Sequence, residues 1–432
     1  MKFATFFCLL FLTKLALAQN FTSYFTGNST NIDTNPQFGV CLMGGASEND
    51  NAMQWFLNLA DGGDVVVLRT SGADGYNDYM FNQLGVNLNS VETLRIDQAQ
   101  GAVDAYVLQQ IAEAEAIWFA GGDQADYVNY FKDTALEDLL NEHINIKQYP
   151  IGGISAGMAI LSEFYFDALN GTITSNEALS NPFDPKLSLG ISDFIDADIL
   201  YKTITDTHYD NPDRQGRHMA FLARLQAQTG ERVFGIGIDE FTAACIDQNG
   251  IAHIYGDFPN FNDYAYFIQV NCLNSTLPEN LSPNQALDWN LNQSAVKTYK
   301  VAGTSNGTNT FDLNTWEMGN GGQWENWWVN QGNFQAQNST AIDCDNLSAE
   351  VFENTSAHLY PNPVQEKLNI DTNQNIKRIE VYNIKGQSLK TKTLKTQKTQ
   401  LNFQDFSKGI YLIKIELTDK SSEIFKVVKN KA

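Results

Sequence analysis

Histidine and cysteine are scarce, five of each in 432 residues, and the scarcity narrows the chemistry. No Cys/His spacing suits a zinc site, so no metal or other cofactor is expected. Positive charge is also short, with 28 Lys+Arg against 50 Asp+Glu and a net of −22. The shortage is uneven. From Ser356 onward 14 Lys and Arg face 7 Asp and Glu, a net of +7, which leaves −29 on the chain before it. A region that acidic is no nucleic-acid binder. Long apolar runs are missing too. Past the N-terminus nothing approaches the ~18 apolar residues of a membrane span.

The N-terminus reads MKFATFFCLLFLTKLALAQN. Lys2 precedes an apolar stretch too short to span a bilayer, and Ala16-Leu17-Ala18 fits the small-x-small cleavage rule. A signal peptide over 1–18 is expected, which removes Cys8. The other four cysteines allow three pairings. Cys41 and Cys245 lie in strand-like apolar runs and read as buried thiols, whereas Cys272 and Cys344 lie in polar loops as a candidate disulfide.

Such a length suggests at least two domains. From about 38 to 250, runs rich in Val and Ile (38–43, 64–69, 116–120, 149–154, 232–238) alternate with helical patterns (49–60, 105–116, 132–143). That alternation predicts a parallel α/β sheet with its site at the carboxyl ends of the strands. Residues 255–345 are rich in Asn, Thr, Gly and aromatics and read as irregular loops with short strands. Their tryptophans (Trp316, Trp324, Trp327, Trp328) suit packing, or a surface for sugars or peptide. From 358 to 432 period-2 alternation with Gly and Asn turns predicts a small all-β sandwich, its lysines guarding the edges, after a linker over 346–357.

The stretch Gly153-Ile154-Ser155-Ala156-Gly157 is a Gly-x-Ser-x-Gly at a strand-to-helix turn. Such a turn lifts a serine Oγ off the sheet edge and aims the next amide at a developing oxyanion. A nucleophilic serine also needs a base and a group to orient it. His358 falls in the β module and His143 ends a polar helix, which leaves His208, His218 and His253. His208 stands out because Asp206, Arg214 and Arg217 crowd around it.

Four stretches together resemble the cyanophycinases and the related aspartyl dipeptidase E. They are Gly121-Gly122-Asp123-Gln124, the run from Gly152 to Ala159, Asp206-Thr207-His208-Tyr209 with Arg214 and Arg217, and Gly235 to Glu240 with Thr242-Ala243. The resemblance covers roughly 35–300. It implies a three-layer α/β/α fold of the class I glutamine amidotransferase-like (flavodoxin-like) type over 19–345, and a serine peptidase. Ser155 would be the nucleophile, His208 the base and Glu240 its orienting acid, with Asp206 and Asp239 as rivals. Backbone amides near Gly122 and Ala156 would form the oxyanion hole. Asp123, Gln124, Arg214 and Arg217 would line the pocket for an aspartyl or cyanophycin-like peptide. The chain departs from the family at Pro212, where cyanophycinases usually carry a further arginine, and at Tyr209, where they carry phenylalanine. Both changes are expected to alter the pocket. Two other readings stand beside this one. An α/β-hydrolase esterase would use His253 as base, and an exported binding protein would use the Trp-rich segment.

The C-terminal module closely resembles the sorting domain of the type IX secretion system. Tyr360-Pro361-Asn362-Pro363, Val381-Tyr382-Asn383 with Gly386, Lys408-Gly409-Ile410-Tyr411 and Lys426-Val427-Val428-Lys429 carry the likeness. It implies recognition by outer-membrane secretion machinery and export through the periplasm. The sequence leaves open whether the protein is a homodimer.

Overall fold

In the computed structural model, residues 20–272, 276–341, 357–383, 387–418 and 422–429 are described. The chain divides into two units, Met1–Asp343 and Cys344–Ala432. The expected signal peptide and most of the expected linker lie outside the described residues. Among those described, no helix is long and apolar enough to cross a membrane.

The first unit is built on a sheet whose centre is parallel. Its strands run Ser90–Arg95, Asp64–Arg69, Ala116–Phe119, Ile151–Ile154 and Gly39–Met43, side by side in that order. Alternation places their side chains on two faces. Val66 and Leu68 join one core with Ile117 and Phe119, while Val65 and Val67 join another with Ala116 and Trp118. Each face is covered. Helices Ala105–Glu113, Gln124–Phe131 and Ala135–Asn141 supply Val107, Tyr127 and Leu140 to the first core. Helix Asp50–Asn58 supplies Met53, Phe56 and Leu57 to the second. This is the expected three-layer arrangement. Its edges are extended by antiparallel strands, Thr22–Gly27 on one side and Ala243–Asp247 on the other.

A second sheet is longer and more regular than the irregular loops with short strands expected for 255–345. Tyr264–Val270, Val296–Ala302, Gly322–Asn330 and Asn333–Asn338 form regular antiparallel strands. They continue outward from the parallel strands Phe234–Ile238 and Thr203–Asp206. The sheet is covered on both faces, with Phe267, Tyr299 and Val301 in one core and Tyr266, Ile268 and Val296 in another, and much of the Asn and Gly lies in the connecting segments and the exposed edge strand Asn333–Asn338. Aromatic side chains lie on both faces. Trp327 is fully buried, Trp316 and Trp328 nearly so, and Trp324 packs against the core. Of the two uses expected, packing is the one these contacts show. Helix Gln215–Thr229 covers this sheet with Met219, Phe221, Leu222 and Leu225.

Cys41 and Cys245 are buried free thiols. They face each other across paired strands with their sulfurs 3.5 Å apart. Cys272 is engaged in a disulfide, and Cys344 lies outside the described residues.

In the second unit the strand Lys367–Asn383 pairs with three others. Its first half pairs with Ala357–Tyr360, its second half with Gly409–Leu417, and Ser388–Asn402 follows it along both. Gly409–Leu417 pairs in turn with Ser422–Lys429. A sandwich is expected from the sequence. Here one curled sheet, nearly a barrel, encloses Leu368, Ile370, Val381, Ile413 and Val427. Irregular register between Asp371 and Ile376 bends the long strand, as bulges do.

Candidate active site

Ser155 follows directly on the strand Ile151–Ile154 and starts helix Ala156–Ala159. Its backbone sits at φ 53°, ψ −120°, a conformation that costs a side-chain-bearing residue roughly 1–3 kcal/mol. The surroundings hold it there. Ser155 N–H donates to Met43 O at 3.1 Å, and Ala159 N–H donates to Ser155 O at 3.0 Å. The motif's second glycine permits the close approach behind the turn, because a Cβ on Gly157 would lie 2.3 Å from Phe119 O.

His208 and Glu240 come from neighbouring parallel strands of the second sheet, just beyond Thr203–Asp206 and Phe234–Ile238. The loop after Gly39–Met43 ties them to the first sheet. Gly44 O accepts from His208 N–H at 2.8 Å, and Gly45 O accepts from Phe241 N–H at 3.1 Å. His208 and Phe241 also have positive φ, 46° and 61°, so backbone strain gathers on three sides of one spot. Gly45, at φ +136°, presses on the imidazole, where an added Cβ would stand 2.4 Å from Cε1.

The side chains meet in a line. Ser155 Oγ lies 2.8 Å from His208 Nε2, and His208 Nδ1 lies 2.6 Å from Glu240 Oε1. With Nδ1 donating to the carboxylate, Nε2 is left to accept the serine proton. Burial disfavours the charge on Glu240. Hydrogen bonds from His208 and from Asn211, whose amide donates to Oε2 at 3.2 Å, outweigh it and hold the carboxyl below its usual range. The loop bearing Gly121 and Gly122 flanks Ser155, for a Cβ on Gly121 would lie 3.6 Å from the serine Cβ. Ala156 is the first residue of the helix after Ser155.

A cleft of about 440 Å³ opens on one side of Ser155, lined among others by Gly122, Asp123, Gln124, Thr207, Arg214 and Arg217. Asp123 caps helix Gln124–Phe131, accepting from Ala125 N–H at 3.0 Å. Gln124 reaches Phe166 O at 3.5 Å.

The two arginines differ. Arg217 is 3% exposed and its guanidinium is used up. Nε donates to Asp206 Oδ2 at 2.8 Å, Nη2 to Asp206 Oδ1, and Nη1 to Thr172 Oγ1 and Ile173 O. Burial opposes the charge on Asp206, but Arg217 and then Arg214 outweigh it and hold its carboxyl below the usual range. The expected arginine pair is thus one ion-paired structural residue and one, Arg214, that stays partly exposed in the cleft, 3.8 Å from Asp206 and bonded to Thr207 Oγ1.

The rival carboxylates are engaged elsewhere, Asp206 with Arg217 and Asp239 with Tyr264 N–H at 3.1 Å. Tyr209 is 1% exposed and packs on Tyr266 and His218. It does not line the cleft, contrary to expectation. His218 is fully buried, and burial pushes its imidazole down to about 4. His143 is likewise buried, bonded to Pro150 O. His253 bonds Gly307 O and sits 3.5 Å from Asp247, away from Ser155.

Sequence reasoning missed a second cleft, of about 350 Å³, on the other flank of Ser155 and His208. Glu48, Arg69 and Tyr76 line it, and Tyr76 OH donates to Glu48 Oε1. Arg69 ends the strand Asp64–Arg69, so the rule that sites gather at strand carboxyl ends was the available signal. Asn211 was missed as well.

Residues 75–254 match Peptidase family S51, and residues 358–430 match the secretion system C-terminal sorting domain. A cyanophycinase of Geminocystis herdmanii is 26% identical over 228 residues, covering 50% of this chain and 77% of that protein. Cyanophycinases of Synechococcus elongatus and Trichormus variabilis are 25% and 24% identical, with 65% and 53% of their lengths covered. The crystal structure of a peptidase from an acI-B1 Actinobacterium aligns at TM-score 0.38 and 14% identity, over 52% of this chain and 89% of that one. The chain is a serine-type peptidase whose residues 75–254 resemble peptidase family S51, and its C-terminal sorting domain sends it to the cell surface or beyond.

Proposed function

We propose that this peptidase cleaves at aspartyl residues through an acyl-enzyme on Ser155. The observation that carries the reading is the unbroken line Ser155 Oγ–His208 Nε2–His208 Nδ1–Glu240 Oε1, at 2.8 and 2.6 Å. His208 takes the hydroxyl proton as Oγ attacks the scissile carbonyl. Amides near Gly122 and Ala156 receive the oxyanion. The imidazolium, stabilised by Glu240, returns its proton to the leaving amine. Water then repeats the sequence in reverse to release the acid. Neighbouring Arg214 favours a substrate carboxylate beside the scissile bond, since a guanidinium offers fixed paired donors. Curated relatives are cyanophycinases, which makes aspartyl peptides and cyanophycin the first substrates to try. His253 has no contact with Ser155 that would favour the esterase alternative.

The test is a substrate panel of α-aspartyl dipeptides, β-Asp-Arg, cyanophycin and neutral peptides, run with wild type and Ser155→Ala. Turnover of an aspartyl substrate should drop by about 10³-fold or more in the variant, because no other group forms the acyl-enzyme. A folded Ser155→Ala protein that keeps a tenth of wild-type activity overturns the mechanism.

A further inference from the structure

The loop that carries His208 also grips Glu240. Asp210 Oδ1 accepts from the Glu240 backbone N–H at 2.9 Å, and Asn211 Nδ2 donates to Glu240 Oε2 at 3.2 Å. The loop is itself folded back, with Asn211 N–H donating to His208 O and Arg214 N–H to Tyr209 O, both at 3.1 Å. A carboxylate accepts only, so the Asn211 amide must present its nitrogen to Glu240. With Oε1 on His208 and Oε2 on Asn211, both oxygens of Glu240 are occupied and the plane of the carboxylate is set. Remove the second donor and the terminal torsion of Glu240, which is broad in glutamate, lets Oε1 swing off Nδ1.

We infer that Asn211 is a positioning residue that acts through Glu240, locking the carboxylate so that His208 keeps the tautomer and orientation that accept the Ser155 proton. The inference rests on the proposed triad. Base, acid and acid-holder then move as one unit, since His208 and Asn211 belong to one loop and Asp210 ties that loop to the Glu240 backbone.

The experiment is a double-mutant cycle on the full chain with the best aspartyl substrate, comparing wild type, Asn211→Leu, Glu240→Gln and the double variant. Asn211→Leu should lower kcat by roughly ten-fold, as expected for losing a partly exposed charge-assisted hydrogen bond, with KM and Tm unchanged. In the Glu240→Gln background the same substitution should cost less than two-fold, because the group it positions is gone. Asn211→Ser, which retains a donor, should recover part of the rate. If Asn211→Leu costs the same factor in both backgrounds, or acts on KM or Tm alone, Asn211 is not a positioning residue. A different result, full activity in Glu240→Gln itself, would sink the assignment of Glu240 as the acid and with it the basis of the inference.

Discussion

The sharpest consequence of the site is that its two cleft arginines should fail in different ways. Consider Arg217→Met. Methionine keeps some of the apolar contact that the Arg217 stem and guanidinium make with Phe166 and Phe221, whose ring centres lie 5.2 and 5.7 Å from it. It removes the bidentate partner of Asp206, whose side chain is 4% exposed. Breaking a buried pair from one side costs about 3–5 kcal/mol, because the remaining charge is stranded. Asp206 would still have Thr207 N–H at 2.9 Å and Arg214 at 3.8 Å, which favours the lower end, about 3 kcal/mol. At roughly 2–4 °C per kcal/mol for a domain of this size, Tm should drop by roughly 6–12 °C. Calorimetry or a urea titration reads it. An Asp206→Asn, Arg217→Met double variant should recover stability relative to Arg217→Met, since no buried charge is left alone. Arg214→Met should do the opposite, leaving Tm within a degree or two and raising KM for aspartyl substrates about 10- to 100-fold over neutral ones, the worth of a charge-assisted contact. The reasoning is refuted if Arg217→Met melts like wild type and loses only its preference for acidic substrates.

Gly45→Ala should fold yet lose at least about 100-fold in kcat, because the new methyl displaces the His208 imidazole by the ångström that matters for proton transfer; steady-state kinetics with Tm as control checks it. Asp239 is 2% exposed, and burial, then the charge of Asp210, push its carboxyl up to about 8. A folded pKa above the unfolded value near 4 means that stability is fully present below pH 4 and is lost as pH rises toward 8. Asp239→Asn should therefore melt above wild type at pH 9 and show no advantage at pH 4. A chain lacking 358–432 should keep its peptidase activity in vitro, since every proposed site residue lies in the first unit, but should remain inside the native cell. Its appearance in the medium would show that the module is not the export signal.

What the sequence determined by itself is local. Runs such as DVVVLR announce buried parallel strands because no polar residue interrupts them. The Gly-x-Ser-x-Gly marks a strained turn because small residues must stand on either side of it. The alternating, lysine-rich tail announces a separate β module. What only the tertiary structure decided is which of several equivalent groups face one another. Asp206, Asp239 and Glu240 are interchangeable in a sequence. Folding spends the first on Arg217 and the second on Tyr264 N–H, and leaves the third opposite His208. Arg214 and Arg217 stand three apart on the chain, yet one is buried in an ion pair and the other is partly open to the cleft. For 255–345 the sequence suggested only short strands, because a ladder such as that of Tyr264–Val270 with Val296–Ala302 joins segments far apart in the chain. Asn211 carried no signal at all, since its contact is with a residue 29 positions away. Spacing reports neighbours along a helix or strand, whereas partners across sheets are chosen by the register and the loops that bring strand ends together.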